Sequence, residues 1–244
     1  MILIDRWSKI LNYLKENQSA TVHDLMDAFD ISKSTVRRDL IAMEEQGLIK
    51  RTRGGAEMEV REDNIINIKE VFKKDTDKKR KIAKKAASLI KDNDFIFIDS
   101  GSTCYYLIES ITANNVTVVT NGLFHIQKLF EKNIKTYILG GYATPDYNMI
   151  IGEDMADKVS MMNFDVAFIG TLGIHCVGGF TTNNLVDREL KKAVIKASQR
   201  CFVLADTSKF NVRKFYTYGD LKEASIITDS TVDFDAEDTD IIFA

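Results

Sequence analysis

The sequence predicts an α/β protein in two parts: a small helical unit closed by a short basic hairpin, then a three-layer α/β sandwich around a mostly parallel sheet. Three observations carry this expectation. Apolar residues recur at helical spacing through the first 57 residues, which end in a basic run and a glycine pair. From residue 95 onward, short β-branched runs alternate with helically spaced segments. Those runs are continuously apolar, as strands buried on both faces are, and 244 residues suffice for a small and a medium domain.

In IDRWSKILNYLKEN, Trp7, Ile10, Leu11 and Leu14 fall at i, i+3, i+4 and i+7 and share one helix face. A short β-prone SATV follows, and then HDLMDAF, where Leu25, Met26 and Phe29 repeat the helical spacing. Asp30 and Ile31 make a tight connection to Ser32, a natural N-cap whose hydroxyl accepts from the free N–H groups of the next helix. That third helix is expected over Lys33–Gln46, ending at Gly47 in a left-handed cap. At 100° per residue, Val36, Leu40 and Met43 face inward; Ser34, Arg38 and Glu45 lie opposite, with Thr35 and Arg37 on the flanks. LIKRT and Gly54-Gly55 then predict a hairpin, or wing, with basic residues near its tip.

The domains expected are 1–57, a polar linker over 58–76 that is part helical through IINIKEVFKK, and 77–244. The second domain starts with the helix KKRKIAKKAASLI. Strands are expected at 95–99, 116–120, 136–140, 165–170, 201–205 and 225–229, with helices in TCYYLIESI, GLFHIQKLF and VDRELKKAVIKAS. This alternation predicts parallel strands joined by crossover helices.

Composition narrows the classes. No apolar run reaches the roughly 18 to 20 residues that span a bilayer, so no membrane partner is expected. Asp5, Arg6 and Lys9 break the start too early for an export signal, which predicts a cytoplasmic protein. Cys104, Cys176 and Cys201, like His23, His125 and His175, are too scattered for a disulfide framework or a zinc site, and no metal or cofactor is expected.

The formal net charge is -3, yet residues 31–56 hold six basic side chains, Lys33, Arg37, Arg38, Lys50, Arg51 and Arg53, against three acidic ones. Screening confines a surface field to about 8 to 10 Å, so an acidic protein can still present a local positive face. Two helices joined by a tight turn, the second showing Ser, Thr and Arg, have the geometry that enters the major groove of duplex DNA. The candidate contacts are Ser32, Lys33, Ser34, Thr35, Arg37 and Arg38 on the helix and Lys50, Arg51 and Arg53 on the wing. So few phosphate contacts bind weakly in one copy, which predicts a homodimer or homotetramer reading paired half-sites of double-stranded operator DNA.

A second constellation is DSGST, residues 99–103, where a strand meets a helix. Free N–H groups at that helix start, reachable past Gly101 and joined by Ser102 and Thr103, suit a phosphate. No GK[ST] follows, so it is not a nucleotide P-loop. Asn121, Gly140, Gly141 and Lys209 stand at other strand ends, where ligands of open α/β sheets collect.

These residues resemble one family. TVRRDL (35–40) with Ser32, Gly47 and the basic GGA wing is similar to the DeoR-type helix-turn-helix regulators, with Arg53 where members often carry His. DSGST, VVTNG, LGG, the FIG..GI spacing, VDRE and ADTSKF extend the resemblance to the DeoR sensor domain, related in fold to ribose-5-phosphate isomerase and CoA transferases. The resemblance implies a phosphorylated sugar effector whose phosphate is held by Gly101, Ser102 and Thr103, with Asp187 or Glu189 facing sugar hydroxyls and Lys209 assisting; Asp99, which opens the DSGST loop, is counted with the effector-binding residues. The expectation is a repressor of a sugar-metabolism operon and not an enzyme. The rival is a sugar-phosphate isomerase or transferase with a helical appendage.

Overall fold

A computed structural model describes residues 3–45, 49–57, 68–144, 148–234 and 239–244. The chain forms two compact units, residues 1–65 and 66–244.

The first unit runs α1 (Leu3–Asn17), β1 (Ser19–Thr21), α2 (Val22–Phe29), α3 (Lys33–Glu45), β2 (Lys50–Thr52) and β3 (Gly55–Glu57). Thr21 starts α2 through a reciprocal capping box: its hydroxyl accepts from Asp24 N at 3.1 Å, and the Asp24 carboxylate accepts from Thr21 N at 2.8 Å. Asp30 takes a left-handed φ of 50° and turns the chain into α3 within three residues. Ile10, Leu14, Leu25, Val36, Leu40 and Met43 form the core with Ala20, Ile49 and Ala56. Each large aliphatic fully buried there contributes about 1.5 to 3 kcal/mol, more than the short helices gain from propensity alone.

The wing is a hairpin whose Thr52 pairs with Gly55 and whose tip is Arg53-Gly54. β1, seen in sequence only as a β-prone stretch, adds a third strand on the far side of β3. A Cβ on Gly55 would lie 1.9 Å from Ala20 O, so only glycine lets β3 approach β1. The expected end of the third helix at Gln46 and Gly47 lies outside the described residues.

The second unit runs α4 (Ile68–Lys73), α5 (Thr76–Ala87), β4 (Phe95–Ile98), α6 (Ser102–Ser110), β5 (Thr117–Thr120), α7 (Leu123–Glu131) and β6 (Lys135–Ile138). It continues with β7 (Tyr142–Thr144), β8 (Met149–Ile151), α8 (Met155–Ser160), β9 (Val166–Gly170), β10 (Gly173–His175), β11 (Gly179–Thr182) and α9 (Leu185–Lys196). It closes with β12 (Cys201–Leu204), β13 (Tyr216–Gly219), β14 (Ser225–Thr228) and β15 (Ile241–Phe243). The expected linker stretch contains α4, whose Phe72 packs edge-on against Tyr105 of α6 and Phe124 of α7 at 5.0 and 5.5 Å.

Seven parallel strands lie in the order β15-β14-β12-β9-β4-β5-β6. All six strands expected from sequence are in it. The two-residue period sends Ile96 and Ile98 to one face and Phe97 to the other. α5 and α6 cover the first face, and α8 and α9 with the small antiparallel sheet β10-β11-β13 cover the second. These are three layers.

The chain places β5 and β6 on one side of β4 and β9, β12, β14 and β15 on the other. The order therefore reverses between β4 and β9, and crossover connections diverge there to leave a crevice beyond the strand carboxyl ends. Asp99 and Gly170 stand at that point.

Candidate functional site

In the first unit, α3 presents the polar face expected of it. Ser32 Oγ accepts from Thr35 N at 3.3 Å and lies 2.9 Å from both Ser34 Oγ and Thr35 Oγ1. These contacts hold the helix start and orient its hydroxyls. Lys33, Ser34, Arg37 and Arg38 are exposed and Thr35 is half-buried, while Val36, Asp39 and Leu40 are buried.

The wing cations differ from one another. Lys50 pairs with Glu57 at 3.2 Å. Arg51 donates its main-chain N–H to Glu44 Oε1 at 2.9 Å, and its guanidinium lies 3.5 Å from Glu44 Oε2. Arg53 sits exposed at the tip. Glu44 thus anchors the wing to α3, so helix and wing form one basic face with a fixed spacing.

In the second unit, α6 begins beside the strand reversal. Gly101 is its N-cap residue with no side-chain cap, and the first helical bond runs from Tyr105 N to Gly101 O at 3.0 Å. The first-turn N–H groups of Ser102, Thr103 and Cys104 are what such a start offers to an anion. α7 begins next to it but is already capped: Asn148 Oδ1 accepts from Phe124 N at 2.7 Å and Asn148 O from Leu123 N at 3.1 Å. Asn148 Nδ2 donates to Ser100 O at 3.0 Å, tying the loop of 99–103 to α7. The two neighbouring helix starts are therefore unequal, and α6 is the one suited to a phosphate.

Asp99 closes the floor. Its Oδ2 accepts from Gly170 N at 2.8 Å, bridging β4 and β9 across the reversal, and lies 3.4 Å from Lys191 Nζ. Lys191 also donates to Asp187 Oδ2 at 2.8 Å, and Thr182 Oγ1 donates to the same oxygen at 2.7 Å. Tyr218 lies 5.4 Å beneath the ammonium and donates its hydroxyl to Gly170 O at 3.2 Å. Burial pushes the Asp187 carboxyl up, whereas Asp187 and Asp99 hold the Lys191 ammonium charged against the opposing effect of burial. Sequence reasoning missed Lys191, although the i, i+4 pair Asp187 and Lys191 on one helix face was there to be read. It also missed Asn148, whose left-handed φ of 54° has no sequence signal beyond Asn itself.

The remaining expected residues divide. Asn121 is fully buried at the end of β5, beside Asp99. Glu189 is half-exposed on the outer side of α9, paired with Arg188, so of the two expected hydroxyl contacts Asp187 alone faces inward. Lys209 ends a short 3-10 turn (Thr207–Lys209) after β12, where Ser208 and the Lys209 charge hold the Asp206 carboxyl down although burial raises it. Gly140 and Gly141 follow the edge strand β6, two strands from β4. A Cβ on Gly141 would sit 2.3 Å from Ile151 O, so packing against β8 explains that glycine.

The described residues hold no cluster of three or more metal-ligating side chains, and none of their helices is long and apolar enough to cross a membrane.

A capped, basic helix with a wing, followed by a parallel-sheet unit, is the architecture of a helix-turn-helix regulator with a separate α/β domain. The sequence matches the DeoR-like helix-turn-helix domain over residues 6–62 and the DeoR C terminal sensor domain over residues 74–230. The chain belongs to the DeoR family of helix-turn-helix transcriptional regulators. It is 35% identical to the HTH-type transcriptional regulator FruR of Bacillus subtilis over 93% of this chain and 91% of that one. It is 33% identical to the transcriptional repressor GlcR of the same organism, over 91% and 86%. A solved ribose 5 phosphate isomerase A from Neisseria gonorrhoeae aligns at 22% identity with a TM-score of 0.40, over 55% of this chain and 53% of that one.

Proposed function

We propose that this protein represses a sugar-metabolism operon in the cytoplasm and releases its operator when a phosphorylated sugar occupies the strand-end site of the second unit. Residues 1–57 read the DNA, 58–76 link, and 77–244 sense. In α3, Ser34 and Arg38 approach base edges while Lys33, Arg37 and the wing cations neutralise phosphates. Two copies meet two half-sites, as a homodimer or within a homotetramer. The names of relatives support the repressor reading: GlcR is a transcriptional repressor, and a Staphylococcus epidermidis relative, 28% identical, is a lactose phosphotransferase system repressor.

The observation that carries the effector half is the inequality of the two helix starts: α7 is capped by Asn148, and α6 has no side-chain cap. A phosphate there gains several N–H donors and the helix dipole without displacing a protein group. Coupling to DNA is then thermodynamic, because a ligand that favours one arrangement of the copies must lose affinity whenever operator favours another.

A thermal-shift screen of the full chain against phosphorylated sugars tests this, since a ligand binding only the folded state raises the midpoint with concentration. A rise with one sugar phosphate, absent for the unphosphorylated sugar, is expected. No rise with any of them removes the effector half. The protein acts by binding, so aldose–ketose turnover should be absent; turnover lost in Asp187→Ala would establish the rival enzyme.

A further inference from the structure

The buried cluster beneath the site has an uneven charge balance. Every hydrogen bond and ion pair described above for Asp99 and Asp187 lands on Oδ2: Gly170 N and Lys191 on Asp99, Thr182 and Lys191 on Asp187. Asp99 Oδ1 and Asp187 Oδ1 are buried and have no hydrogen-bond partner among the described residues. Two carboxylates share one ammonium. Beside them, Asn121 is fully buried, and neither its amide oxygen nor its amide nitrogen has a hydrogen-bond partner among the described residues. The register Ile98 to Thr120 puts Asn121 next to Asp99 at the adjacent strand end.

Buried polar groups left unpaired cost free energy that a matching ligand recovers. Two acceptor-only oxygens and one amide that both donates and accepts match neutral hydroxyl groups, each of which donates one hydrogen and accepts another. They do not match a carboxylate, which brings no donor and places like charge beside an uncompensated negative charge at low dielectric. Lys209, after β12, has its charge facing Asp206.

We propose that the Asp99–Lys191–Asp187 cluster with Asn121 makes the site select phosphorylated sugars and alditols whose far end is uncharged, and reject the corresponding phosphorylated sugar acids. The inference rests on the effector reading above, with the phosphate at the start of α6 and the polyol end over the cluster. Lys191 acts as a positioning residue: it engages both Oδ2 atoms and leaves both Oδ1 atoms for the ligand.

The test is calorimetric titration of the full chain with matched pairs, glucose 6-phosphate against 6-phosphogluconate and ribose 5-phosphate against 5-phosphoribonate, with inorganic phosphate as the common probe. In every pair whose sugar phosphate binds, it should bind about tenfold or more tightly than its acid. Asp187→Asn, which removes one negative charge, should narrow that ratio, and if this variant does not fold the wild-type ratio decides alone. An acid that binds as tightly as its sugar overturns the selectivity while sparing the phosphate site. A folded Asp187→Asn protein with an unchanged ratio does the same. Failure of every compound to bind, phosphate included, overturns the site itself and this inference with it.

Discussion

Arg6 of α1 and Asp39 of α3 form a buried two-pronged ion pair, Nη2 donating to Oδ1 at 2.9 Å and Nε to Oδ2. Asp39 is 1% exposed and precedes the core residue Leu40, so the pair fixes the roll of α3 and turns the adjacent Arg38 outward.

Asp39→Ala removes this pair and should destabilise the first unit by more than about 1 kcal/mol, above the range for an exposed pair. Trp7, the sole tryptophan, lies in α1, so its fluorescence during urea unfolding of the full chain reports that unit. A change below about 1 kcal/mol, the worth of an exposed pair, would show that the pair is not a strut.

Arg38 and Arg53 should fail differently. Arg38→Ala is expected to cost about 1 to 3 kcal/mol of specific operator affinity, the range for a good base contact, with little change in non-specific binding. Arg53→Ala should weaken both and lower the salt slope by roughly 0.9, the value for one lost phosphate contact. Lys50 and Arg51 pair with Glu57 and Glu44, so their slopes should change less than that of Arg53. Equal salt slopes for all four alanine variants would contradict this division.

Gly101→Asp separates stability from binding. A Cβ at Gly101 meets nothing closer than 3.8 Å, and its φ of -62° suits any residue, so the site accepts a side chain. Aspartate is a strong N-cap, and stability should hold or rise by a few tenths of a kcal/mol. The same carboxylate occupies the N–H groups proposed to hold phosphate, so the thermal shift with the effector should vanish. A retained shift would place the phosphate elsewhere.

His125, fully buried and edge-on to Tyr105 at 5.8 Å, has its pKa lowered by burial to about 3. Because the folded value is depressed, the stability it confers is complete above the unfolded value near 6.5 and is lost as pH falls toward 3. From pH 6.5 to 5 the loss is roughly 2 kcal/mol, at about 1.4 kcal/mol per pH unit. His125→Leu should flatten this part of the urea-derived stability curve; an unchanged slope would mean that the folded protein can protonate His125.

The parallel sheet was legible because Phe95–Ile98 and its five counterparts are apolar on both faces, a pattern few other elements produce. β15 was missed because Ile241–Phe243 is only three residues long and follows an acidic run. β10, β11 and β13 escaped because Gly173, Gly179, Thr181 and Thr217 read as turn and loop residues; their burial comes from tertiary packing, not local pattern. At the site, DSGST was visible as strand-to-helix chemistry, and Asp187 entered only through the family resemblance. Lys191 and Asn148 were not, since their roles arise from contacts with strand ends and loops distant in sequence, Asp99 and Ser100.

Coupling between the strand-end site and the DNA-binding face is tested most directly by operator titration at fixed salt, with and without the sugar phosphate that raises the thermal midpoint. Saturating effector should weaken operator affinity by roughly 5- to 150-fold, the usual range of coupling free energies, and operator should weaken effector binding by the same factor. Operator affinity that stays constant while the second unit is saturated would contradict the account.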